Sequence, residues 1–140
     1  MDKALSLLAL ARKGGIAELG EEPVGGAARG GKAYVILVAK AASDHTWRRA
    51  KSFAAGTEQQ CVRLPWTKDQ LGAAIGRDTL AIAAITDVQM ALALVAALPQ
   101  EESNKPALEV LTAKAAKAKQ RQQEAKAHRR NLRRGKKHMK

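Results

Sequence analysis

The chain has one cysteine, Cys61, in 140 residues. That excludes an intrachain disulfide and a cysteine-rich zinc site, and the three histidines, His45, His128 and His138, lack ligand spacing. No metal or other cofactor is expected. Aromatics are almost as scarce: Tyr34, Trp47, Phe53 and Trp66 are the whole set, too few for a sheet that stacks bases on an aromatic platform. No apolar run approaches the ~20 residues needed to span a bilayer. The apolar start at 4–11 is short and interrupted by Ser6, unlike a secretory signal. A cytoplasmic protein without a membrane role is expected. No nucleophile has a base beside it, no paired carboxylates mark a cleft apart from Glu21-Glu22, and Gly25-Gly26 and Gly30-Gly31 lack P-loop spacing. The sequence therefore predicts a protein that is not an enzyme.

Acidic residues are what the C-terminal segment lacks. Residues 113–140 hold 12 Lys and Arg against one acid, Glu124, whereas residues 1–112 carry 13 cations and 12 anions. A near-neutral body with a concentrated cationic arm can neutralise many closely spaced negative charges, and nucleic acid offers them most densely. The arm's cations are Lys114, Lys117, Lys119, Arg121, Lys126, Arg129, Arg130, Arg133, Arg134, Lys136, Lys137 and Lys140. Their spacing around most of a helix suits threading between phosphates. A membrane surface is a poor alternative, because Leu132 and Met139 cannot make an apolar face.

Hydrophobic spacing and stop signals predict a helix over 3–13 ended by Gly14-Gly15, and a short strand at 16–19. Glu21, Glu22 and Pro23 suit the first turn of a helix running toward Arg29. The continuous apolar runs 34–39 and 80–85 read as strands covered on both faces. Ser43-Asp44 offers a cap for a helix to about residue 55, carrying Trp47 and Phe53 on its inner stripe and Arg48, Arg49 and Lys51 on a solvated face. A strand at 60–64 is expected to end at Pro65, with Cys61 as a small apolar residue within it and Trp66 as a lid on the core. Thr67 and Gln70 fit a capping box for a helix through Ile75, and Asp87 a cap for an apolar helix at 88–98 closed by Pro99. This alternation predicts an α/β fold, a three-layer α/β/α sandwich on about four strands with a basic C-terminal helical or disordered extension. Residues 1–99 would form the domain, 100–106 a linker and 107–140 a projecting arm with almost no apolar stripe beyond Leu111.

Several segments carry a resemblance to a known family. They are Leu7-Leu8-Ala9-Leu10-Ala11-Arg12-Lys13-Gly14-Gly15, then Gly20-Glu21-Glu22, then Gly31-Lys32-Ala33-Tyr34-Val35-Ile36-Leu37-Val38-Ala39. Leu71-Gly72-Ala73-Ala74-Ile75-Gly76 and Ile82-Ala83-Ala84-Ile85-Thr86-Asp87 follow. In order and spacing, residues 3–98 resemble the superfamily typified by the archaeal large-subunit ribosomal protein L-seven-Ae, and in particular its short bacterial ribosomal-protein-like members. The resemblance implies the same sandwich and RNA binding at the N-terminus of the second helix, which in many members meets the sheared G·A pairs of a kink-turn. Many relatives read Gly-X-Asn-Glu there, with a lysine three residues later. Here Glu22 stands at the asparagine position, Pro23 at the glutamate and Gly26 at the lysine.

By position the resemblance carries over Gly20, Glu21, Glu22 and, in the loop after the fourth helix, Arg77; charge adds Lys32 and Lys40. The expected function is non-enzymatic binding of RNA, ribosomal RNA above all, on the ribosome or during its assembly, with ribosomal or assembly proteins as further partners. The body would dock structured RNA and the arm would clamp its backbone. The alternative is a protein–protein interaction module that has lost kink-turn readout, since two carboxylates at the first turn repel phosphate and Gly26 removes a cation. For Glu21 and Glu22, simple complementation of the helix dipole is the competing role, as a solubilising tail is for the arm.

Overall fold

The computed structural model describes the backbone of residues 2–138 and the side chains of residues 2–133. In chain order its elements are α1 (Lys3–Lys13), β1 (Ala17–Leu19), α2 (Glu21–Arg29), β2 (Val35–Lys40), α3 (Asp44–Ala54), β3 (Gln60–Thr67), α4 (Lys68–Ile75), β4 (Ile82–Ile85), α5 (Val88–Ala96), a 3-10 turn (Glu102–Asn104) and α6 (Lys105–His138). β2 is apolar and buried from Val35 to Ala39, so helices must cover both its faces. The strands form one sheet in the order β1-β4-β2-β3, with β4 antiparallel to β1 and β2, and β3 parallel to β2.

Alternation along β2 divides the core in two. Val35, Leu37 and Ala39 join Leu8, Leu71, Leu94 and Leu111 under α1, α4, α5 and α6. Ile36 and Val38 join Val24, Ala28 and Ala50 under α2 and α3. This is the α/β/α sandwich the residue pattern predicts. Ser43 caps α3, Thr67 and Gln70 form the capping box of α4, and Asp87 caps α5, each by the expected side-chain hydrogen bond. Trp66 packs on the first core; Trp47 and Phe53 pack, half-buried, on the second. Gly72 is where α4 and its exit loop come closest: a Cβ there would sit 2.7 Å from the Asp78 carbonyl oxygen, so only glycine lets the chain turn back across the helix.

Several boundaries differ from the sequence reading. β3 does not stop at Pro65 but continues to Thr67, because it is an edge strand and Pro65 lies where its register with β2 shifts, a place where a missing N–H is tolerated. β4 starts at Ile82 rather than residue 80; the Leu80 N–H is drawn to the Lys68 carbonyl instead. α5 ends at Ala96, two residues before the expected end.

The largest revision concerns the linker and arm. Residues 100–106 hold a 3-10 turn and the start of α6. Pro106 sits in the first helical turn, where its missing N–H has no intrahelical partner to lose. Ala107, Leu111 and Ala115 are buried, and Ala107 and Leu111 belong to the first core. The Gln89 side chain donates to the Ala115 carbonyl at 3.1 Å, which fixes α6 antiparallel to α5. The packed body thus runs past residue 107 to about residue 115, and only beyond it does the arm project. Replacing Leu111 by alanine should cost about 2–5 kcal/mol of unfolding free energy, measured by denaturant titration. The same change at Leu132, 54% exposed, should stay within about 0.5 kcal/mol.

Candidate nucleic-acid interface

β1, β2 and β3 all end at one edge of the sheet, where β4 begins. The Gly20 N–H donates to the Ile82 carbonyl at 3.0 Å, and Lys40 pairs with Thr67 across the same end. The N-termini of α2, α3 and α4 therefore share this end. Gly20 turns the chain into α2 at φ 97°, a region that L side chains rarely adopt. It supplies no side-chain cap. The first intrahelical donor is Val24, to the Gly20 carbonyl, which leaves the N–H groups of Glu21 and Glu22 at the positive end of the helix. Two backbone donors beside a positive dipole can accept a phosphate or a base-edge oxygen.

The expected residues are brought together only in part. Gly20, Glu21, Glu22 and Lys40 meet at this end. Arg77 lies in the loop that leads to Ile82, its N–H bonded to the Gly72 carbonyl at 2.8 Å. Lys32 is placed differently: it follows the C-terminus of α2 and precedes Tyr34, whose N–H donates to the Ile85 carbonyl, so its backbone is at the opposite end of the sheet, while its side chain lines a shallow pocket along α2 with Pro23, Gly26 and Gly30. Glu21 is engaged within the protein: Arg49 Nε lies 2.5 Å from its carboxylate. Glu22 is exposed.

Two arginines that the sequence reading left out of the site alter its charge. Arg49 lies on the exposed face of α3, as expected, and from there pairs with Glu21 and stands 5.7 Å from the Phe53 ring centre. Arg29 folds back along α2, its guanidinium nitrogens within 3.2 Å of where a Gly25 Cβ would lie and 4.0 Å of a Gly26 Cβ. A cation thus reaches the turn where Gly26 provides none. Neither role has a local sequence signal, because each depends on the helical geometry or packing of α2 and α3.

The arm leaves from the other end. Gln89, beside the start of α5, holds Ala115, so α6 exits below the strand starts, opposite the α2 N-terminus. Lys114 is not a free arm cation: it pairs with Glu58 at 2.8 Å and lies 5.9 Å from the Tyr34 ring. The hydrogen bond and charge of Lys114 hold the Glu58 carboxyl below its ordinary value. That contact is complete at neutral pH and lost as pH falls through the lowered value. From Lys119 to Arg133 every residue is exposed. At about 100° per residue, Lys119, Lys126, Arg129, Arg130 and Arg133 fall within a sector of about 100°, with Lys117 and Arg121 outside it. The cations make a stripe rather than a uniform sleeve. Arg134, Lys136 and Lys137 lie beyond the described side chains, and Lys140 beyond the described backbone.

A third basic group flanks the outer edge of the sheet. Arg63 stacks its guanidinium 4.4 Å from the Trp47 ring centre, and Lys51 lies 5.7 Å from the same ring. Cys61 neighbours them on β3, and burial pushes its thiol up to about 11 against the weaker opposing pull of Lys51 and Arg63. Among the described residues no three His, Cys, Asp or Glu side chains cluster to hold a metal ion, and no helix is long and apolar enough to cross a membrane. At pH 7.5 Cys61 should carry about a hundredfold less thiolate than a thiol at the ordinary value. Its alkylation by iodoacetamide should be correspondingly slow and rise about tenfold per pH unit toward pH 11. A rate equal to that of free cysteine would refute the burial.

No protein-family model matches the chain, and no curated protein matches it. Among solved structures it is similar to a protein of unknown function from Bacillus halodurans C, at 25% sequence identity and a TM-score of 0.64. The match covers 69% of this chain and 97% of that one, so the neighbour is the shorter protein. It is one of 108 chains of known structure that match, which marks a recurrent fold that assigns no activity by itself.

Proposed function

We propose that the chain is a non-enzymatic RNA-binding protein that acts on the ribosome or in its assembly. The reading rests on the exposed stripe of α6, in which Lys119, Lys126, Arg129, Arg130 and Arg133 share one side of a projecting helix and Glu124 is the one acid of the segment. Beyond Ala115 the described helix extends about 35 Å, long enough to follow several successive phosphates. The stripe supplies sequence-independent affinity, and the end that holds Gly20, Glu22 and Lys40, with the Arg29 guanidinium reaching back along α2 to Gly25 and Gly26, supplies the readout of structured RNA. The two surfaces lie at opposite ends of the body, so an RNA that meets both runs the length of the sandwich. The resemblance of residues 3–98 to the L-seven-Ae superfamily supports the same reading.

The experiment is the salt dependence of binding to a structured ribosomal RNA fragment. With about eight phosphate contacts, log affinity should fall against log salt with a slope of roughly −6 to −7. Replacing Arg129, Arg130, Arg133 and Arg134 together by alanine should weaken binding to all RNAs and flatten the slope by about 3. An unchanged slope would remove the arm from the interface.

A further inference from the structure

β3 is the edge of the sheet beside β2, and a groove of about 470 Å³ runs along its outer side past residues 61–65. The Gln60 N–H donates to the Tyr34 carbonyl at 3.1 Å. In a parallel ladder the N–H and C=O of Gln60 and Val62 therefore turn toward β2, and those of Cys61 and Arg63 turn outward. Beyond Arg63 the register with β2 shifts, and Pro65, which has no N–H, lies in that irregular stretch and closes the row of donors. The outward groups thus repeat every second residue, donor beside acceptor. That spacing matches the backbone of another β-strand and not a sugar–phosphate chain.

The groove has a wall on each face of the sheet. Trp47 and Arg63 stand on the α3 side, and Pro99, Ser103 and Asn104, ahead of α6, stand on the other. A strand laid along the edge would present alternate side chains to the two walls. Lys40 and Arg63 line this groove against one carboxylate, Glu101, and Lys51 adds positive charge beside Trp47. A second copy of this chain is a poor occupant, because two-fold pairing of β3 with itself brings Arg63 toward the Arg63 of the other copy.

We propose that the outer edge of β3, from Cys61 to Pro65, is a docking slot for an extended acidic segment of a partner protein, which adds to the sheet as a fifth strand. Arg63, whose guanidinium lies over the Trp47 ring, meets the carboxylates of that segment, and the outward N–H and C=O groups of Cys61 and Arg63 take its backbone hydrogen bonds. The slot uses none of the arm's cations and shares only Lys40 with the end that holds the α2 N-terminus, so it does not rest on RNA binding.

The test is an amide-resolved NMR titration of the full chain with a capped heptapeptide that alternates valine with aspartate and glutamate. The amides of Cys61 and Arg63 and the Trp47 indole should shift together. Arg63→Glu should weaken binding by roughly tenfold or more, and Arg63→Gln by less. N-methylation of the peptide should abolish binding at alternate positions only, the signature of a ladder. The variant with Arg129, Arg130 and Arg133 replaced by alanine should bind the peptide as the parent chain does, whether or not it still binds RNA. Absence of binding at millimolar peptide, or equal loss at every N-methylated position, would overturn the proposal. So would a response of these amides to an oligouridine probe but not to the peptide, which would mark the groove as a nucleic-acid contact. Dimerisation through β3 without peptide would assign the edge to a second copy.

Discussion

Everything beyond the sandwich depends on the burial of Leu111 at the first core. This residue is fully enclosed and, with Ala107 and Ala115, seats three turns of α6 against α5 and the sheet. A helix with so little apolar surface beyond it would have no reason to hold one direction. Once these turns are seated, helical continuity carries that direction outward along the cationic stripe. The Lys114–Glu58 pair and the Gln89 hydrogen bond to Ala115 add orientation rather than much stability, since exposed pairs contribute little. The same seating draws the 3-10 turn at Glu102–Asn104 against the outer edge of β3, where it forms one wall of the groove.

The fold then separates charge by location. At the end where β1, β2 and β3 finish, three helix N-termini converge with Glu21, Glu22, Asp44 and Asp69 in their first turns. Acid side chains meet positive dipole ends there, and Arg29 and Arg49 return cations to the α2 turn. At the other end α6 departs with almost unbroken positive charge. Such a division accounts for a near-neutral body and a strongly basic arm in one chain.

The layers and caps were legible because their causes are local. The runs at β2 and β4 carry the pattern of doubly covered strands, and Ser43, Thr67, Gln70 and Asp87 act on backbone three residues away. Pro65 does not end β3 as its sequence suggests: proline interrupts an element or not according to whether its missing N–H would have had a partner, and that depends on tertiary placement at an edge or irregularity. The arm's first turns were read as free because Ala107, Leu111 and Ala115 are too few to show a stripe by themselves. The reach of Arg29 along α2, the pairing of Arg49 with Glu21 and the contact of Arg63 with Trp47 leave no local signal in the sequence, because only tertiary packing or helical geometry creates these juxtapositions.

The central claim is that α6, held rigidly by Leu111, meets RNA along its stripe while the α2 end reads structure. Ultraviolet crosslinking of the full chain to RNA in cells, with mass spectrometry of the crosslinked peptides, tests it most directly. The account predicts crosslinks within residues 117–133 and a second set around residues 20–29 and 40, both on one structured RNA. Crosslinks confined to other surfaces, or recovery of no RNA, would contradict it.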